Sequence, residues 1–206
     1  MLLHDNPFWR FSLGLYQVQR FEEACLTLQD ESGANINLLL FALWSSRQKL
    51  RLAPDWQQAF RQFHNWNQDF TQSLRLQRRQ LKTLAARGDR HEHGPLHRMR
   101  EHLLKAEEYS EQQEQAILYY YYQQRQGLVV CEEPQAALIA NLIECFDDAQ
   151  TLNVAALLTL LTLYLDESEA EEVAAQVIAR VQARADVIAR PLVAASLEDK
   201  KGQMDQ

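Results

Sequence analysis

The chain has 206 residues, a mass of 24.0 kDa, 47% hydrophobic residues and a formal net charge of −7. Six Gly and five Pro make roughly 5% of it, against about 12% in an average protein. With 24% charged residues, three cysteines and no 18-residue apolar run, this composition excludes a disordered chain, a collagen, a disulfide scaffold and a membrane-spanning helix.

Asn6-Pro7 reads as a helix start, an Asn cap followed by Pro at the first helical position, where its missing N–H costs nothing. Phe8, Phe11 and Leu15, with Trp9 beside them, give the first helix an apolar face. A second helix spans about Phe21 to Gln29, and Gly33 is its stop. Asn35-Ile36-Asn37 restarts the chain, and Leu38 to Trp44 is apolar nearly all round, which places the third helix at the centre of the core. Beyond Pro54, Trp56, Phe60, Phe63, Phe70, Leu74, Leu81 and Leu84 recur at helical spacing. Gly88 to Pro95 breaks the stripe, which resumes with Leu96, Met99, Leu103, Ala106, Ile117 and Tyr120. Two such helices joined by a short loop bury their stripes on each other, which predicts a long antiparallel hairpin over about 54–126.

Leu128 to Cys131 reads as an extended connection rather than a strand, since no partner strand is visible. Glu133-Pro134 starts a sixth helix through about Phe146, and Asn153 caps a seventh over Val154 to Leu165. Ser168-x-x-Glu171 is a capping box ahead of Val173, Val177, Ile178, Val181 and Ile188. Pro191 ends or kinks that helix, and the polar tail from Ser196 is expected to fray. The expected fold is therefore all-α, with seven or eight helices. One helical domain covers 1–165, and a C-terminal helix with a frayed tail covers 166–206.

No basic start followed by an apolar stretch marks a secretory signal, and Cys25, Cys131 and Cys145 form no C-x-x-C pair. Free thiols in a reducing compartment imply a cytoplasmic protein. Charge is segregated along the chain: residues 61–105 carry 10 basic and 4 acidic residues, whereas 106–206 carry 6 and 18.

Asn6-Pro7-Phe8-Trp9-Arg10-Phe11-Ser12-Leu13, then Ala24-Cys25-Leu26-x-Leu28-Gln29, then Asn37-Leu38-Leu39-Leu40-Phe41-x-x-Trp44 form a distinctive series. Leu74-Arg75-x-x-Arg78-x-x-Leu81-Lys82 and Leu104-Lys105-Ala106-Glu107 continue it. The series resembles a proteobacterial family of small conserved hypothetical proteins, built on a domain of unknown function numbered 2390, over roughly residues 5–165. The resemblance implies a cytoplasmic helical protein and supplies no activity.

Arg75, Arg78, Arg79 and Lys82 stand at three- and four-residue spacing on one helix, and Arg98 approaches from the start of the next. Such a basic stripe suits an acidic partner surface or an anion. Glu107, Glu108, Glu111 and Glu114 fall nearer 60–75 in an antiparallel pair, so they cancel it only in part. A pI near 5.4 and the lack of a zinc-finger or winged signature argue against nucleic acid. His91, His93, His97 and His102 cluster between the two helices, but Gly94-Pro95 interrupts a zinc-like spacing, and no metal is assigned. Tyr119 to Tyr122 fill a whole helical turn, so one ring at least faces outward. Asp147-Asp148 lacks the third acid of a diphosphate-binding D-D-x-x-D pattern, and no G-x-S-x-G, Walker or dinucleotide glycine motif occurs.

No catalytic residue and no cofactor is assigned. The leading expectation is a non-catalytic interaction or adaptor protein that uses the basic stripe to bind another protein or a second copy of itself, with no membrane attachment. The alternative is a small-molecule-binding protein or enzyme with an interhelical pocket near Trp44, Tyr120 and Asp147. A nucleic-acid or polyanion binder is the weaker alternative.

Overall fold

The computed structural model describes residues 2–88, 94–146 and 152–202, with residues 85–88 and 186–202 as backbone only. The chain is all-α apart from one two-stranded sheet and divides into two compact units. One unit holds residues 1–14 and 52–130, and the other holds 15–51 and 131–206. Strands β1 (Leu50–Leu52) and β2 (Leu128–Val130), which pair with each other, lie where the chain passes from one unit to the next. The run after Gly127 is therefore a strand and not an isolated connection. At three residues each, neither strand is long enough to show alternation in the sequence.

In the first unit, α1 (Pro7–Tyr16) starts as its residues dictate: the Trp9 N–H donates to Asn6 Oδ1 at 2.9 Å, and Asn6 is buried. Phe8 is fully buried, while Phe11 and Leu15 are half-buried. The helical segment after Pro54 is divided into α4 (Trp56–Ala59), α5 (Arg61–Trp66), a π turn (Asn67–Thr71) and α6 (Gln72–Gly88), so the helices exceed the expected seven or eight. At the break after Ala59, Gln126 Nε2 donates to the Ala59 carbonyl at 2.7 Å and satisfies one of the orphan acceptors at the end of α4. Trp56, Phe60 and Phe63 are buried there, and Phe60 stacks on Tyr121 with ring centroids 4.5 Å apart. Tyr121 belongs to α7 (Pro95–Gln124), which also buries Ala116, Ile117 and Leu118.

In the second unit, α2 (Phe21–Ser32) stops at Gly33, whose φ of 68° is left-handed, and α3 (Ile36–Arg47) is capped by Asn35. Every residue from Asn37 to Ser46 is buried, as an all-round apolar helix requires. Helix α3 packs on α8 (Pro134–Ile143), and α2 packs on α9 (Val154–Thr162). Both α8 and α9 end about three residues before their expected ends. Asn153 Oδ1 accepts from the Ala156 N–H at 2.9 Å, as a cap should.

Helix α10 (Glu167–Gly202) covers α8 and α9 with Val173, Val177 and Val181, all fully buried. Its first turn is capped by Asp166, whose Oδ1 accepts from the Glu169 N–H, rather than by Ser168. The helix continues through Pro191 and through the polar segment to Gly202, where the sequence suggests an end and a frayed tail.

Candidate functional site

The π turn decides which side chains face α7. A π-helical turn takes up one residue more than an α-turn, so the helix beyond it advances by one position on the same face. Phe70, read from the sequence as part of the apolar stripe, is 50% exposed, and its neighbour Thr71 is fully buried instead. Four residues on, Arg75 rather than Leu74 takes the buried position. Leu84, also placed in the stripe, is half exposed.

A polar seam results. Thr71 Oγ1 bonds Ser110 Oγ at 2.8 Å and donates to Glu114 Oε1, which also accepts from Asn67 Nδ2 at 2.9 Å. Trp66 Nε1 donates to Ser110 Oγ at 2.9 Å. Arg75 Nε donates to Glu107 Oε1 at 3.0 Å, and its Nη2 donates to Glu111 at 2.6 Å. Arg78 holds the other oxygen of Glu107. The partners approach the start of α7 as they approach the end of α6, so the two helices run in opposite directions here. Residues 89–93, which join them, lie outside the described residues.

Burial is the largest single influence on Glu107 and pushes its carboxyl up. The hydrogen bonds and charges of Arg78 and Arg75 together outweigh it and hold the group below the ordinary carboxylate value. For Glu111, burial prevails with help from the charges of Glu107 and Glu114, and its carboxyl is raised despite Arg75.

The residues of the expected basic stripe thus separate. Arg75 is buried and Arg78 largely so, and both are engaged with acids of α7; the cancellation reaches further along the stripe than antiparallel spacing alone suggested. Arg79, Lys82 and Arg98 are exposed. Beyond the Arg75–Glu107 bridge no residue is buried from Leu76 to Leu84 or from Pro95 to Ala106. Leu76 (57% exposed), Leu84, Met99 (54%) and Leu104 are surface residues in these stretches.

Of the expected pocket residues, Trp44 is a core residue of the second unit, tilted against Phe41. Tyr120 is an exposed residue of the first unit, and Asp147 lies outside the described residues. His91 and His93 also lie outside them, while His97 Nε2 sits 3.4 Å from Glu101. Among the described residues, no group of three or more His, Cys, Asp or Glu is placed to hold a metal ion.

Tyr120 lines an open cleft of about 440 Å³ in the first unit, together with Arg61, Gln62, Asn65, Trp66 and Phe70. No sequence motif marks this cleft, because Phe70 reaches it through the register change in the π turn.

These features define an all-α protein whose α6–α7 pair encloses buried ions. No described helix is long and apolar enough to cross a membrane. The family model described as "Protein of unknown function (DUF2390)" matches residues 7–118, from α1 through most of α7. The chain belongs to this family; the matched stretch is shorter than the 5–165 suggested by the sequence motifs. No curated protein and no solved structure matches the chain.

Proposed function

We propose that the protein is a non-catalytic interaction protein of the cytoplasm, and that the α6–α7 pair beyond the Arg75–Glu107 bridge engages an acidic protein partner. One observation carries this reading: past the bridge, residues 76–84 and 95–106 include no buried residue, and Leu76, Leu84, Met99 and Leu104 are exposed among Arg79, Lys82, Arg98 and Lys105. Helices gain most of their stability in water from packing an apolar face, so a partner that covers these leucines would stabilise the pair. Basic residues beside an apolar contact favour a partner of opposite charge and speed its encounter.

The test is native mass spectrometry on the tagged protein from its own cell, with and without nuclease treatment. A stoichiometric acidic protein is expected, and its loss is expected in the variant Arg79→Glu, Lys82→Glu, Arg98→Glu. Retention of the partner by that variant, or a bound mass that disappears with nuclease, overturns the reading.

A further inference from the structure

We propose that the cleft beside the π turn is a binding site for a planar nitrogen heteroaromatic of nucleobase type, carried on a nucleoside or mononucleotide. The site lies wholly within the first unit and is independent of the basic helix surface.

Its floor is aromatic. Trp66 is fixed in orientation by its Nε1 bond to Ser110 Oγ, and Phe70 lies against it with centroids 4.5 Å apart and an interplanar angle of 33°. The π turn leaves Phe70 half exposed, although an unbroken α-helix would carry it along the buried stripe. Leaving a phenyl ring in water forfeits burial energy, and π turns of this kind recur at functional positions. Tyr120, 38% exposed, supplies a third aromatic side chain to the same cleft. A flat ligand gains stacking energy on such rings whatever its substituents.

The rest of the lining is suited to the edge of a base. Gln58, Gln62 and Asn65 are exposed carboxamides, each offering a donor and an acceptor side by side, the pairing that reads a base edge in two bonds. Arg61 and Asp69 add one charge of each sign, which suits a phosphate and an exocyclic amine or sugar hydroxyl respectively. The volume of about 440 Å³ is in the range of small-ligand sites.

The test is NMR titration of the isotope-labelled full chain with AMP, GMP, CMP and UMP in turn, with maltose as the sugar control. At least one nucleotide is expected to shift the signals of Asn65, Phe70 and the Trp66 indole saturably, while maltose does not. Phe70→Ala should weaken binding roughly tenfold, the scale of one lost stacking contact. Asn65→Ala, an exposed change that leaves the aromatic floor in place, should weaken it for the base whose edge it reads, and Lys82→Ala should not. No saturable shift with any nucleotide, equal shifts with maltose, or unchanged binding in both cleft variants overturns the proposal.

Discussion

Arg75 and Glu107 meet across α6 and α7 with Nε and Oε1 3.0 Å apart and both side chains less than a tenth exposed. A buried ion pair thus lies between the two helices, with Arg78 closing the second carboxylate oxygen. Removing Glu107 takes from the buried Arg75 one of its two carboxylate partners and leaves Glu111 as the other. Glu107→Ala should therefore lower the unfolding free energy by about 2 kcal/mol in urea denaturation, the scale of lost hydrogen bonds to a charged group. The double variant Arg75→Ala, Glu107→Ala should lose less than the sum of the two single losses, because the residues share one interaction.

The same carboxylate gives a pH dependence of definite sign. Glu107 titrates below its ordinary value of 4.5 in the folded chain. On acidification the unfolded state takes up the proton first. The contribution of the carboxylate is whole above the ordinary value and is lost as pH falls through the lower folded one. Urea midpoints measured from neutral to acid pH should fall less steeply in Glu107→Gln than in the wild type. An equally steep acid limb would show that other groups control it.

Gly127 and Gly33 both have positive φ, 64° and 68°, yet they predict different costs for alanine. A Cβ on Gly127 would stand 2.8 Å from the Ala59 Cβ and 2.9 Å from a ring carbon of Phe60, whereas one on Gly33 would meet nothing. Gly33→Ala should cost about 1 kcal/mol, from backbone strain alone. Gly127→Ala should cost about 3 kcal/mol, since strain and overpacking add. Thermal unfolding of the two variants side by side measures the difference.

Asn141 is fully buried in α8, and its Nδ2 donates to Ser45 Oγ at 3.1 Å and to the Leu50 carbonyl at 3.0 Å. Asn141→Leu leaves both acceptors unpaired, so it should destabilise by about 2 kcal/mol although leucine is the more apolar residue. A neutral or stabilising result in urea denaturation would contradict the importance assigned to these two bonds.

The cysteines should separate by reactivity. Burial pushes the Cys25 thiol up to about 12, with the charge of Glu22 adding, and drives Cys145 up as well, while Cys131 is half-buried. Thiolate is the reactive form, so a disulfide reagent should modify one thiol in the folded protein and three after denaturation. Mass mapping should place the single native adduct at Cys131.

Local signals were legible in the sequence. Asn6, Asn153 and Gly33 mark helix ends because a cap is made by residues adjacent in the chain, and Leu38 to Trp44 marks a core helix because no polar face interrupts it. Periodicity also showed that the segments after Pro54 and Pro95 are helical. It could not show that the first of them contains a π turn, since the same residues fit an unbroken α-helix. That turn exchanges Phe70 for Thr71 and Leu74 for Arg75 at the buried face, and so both the ion pair with Glu107 and the cleft at Phe70 arise from it. Asp166 caps α10 where the sequence points to Ser168, and the partner of β2 lies nearly eighty positions upstream. The helical class, most of the caps and the charge segregation follow from near neighbours in the chain. Which arginines are buried and which ring is left in water were decided only by the tertiary structure, because both depend on a helix register fixed by contacts with a second helix some forty residues away.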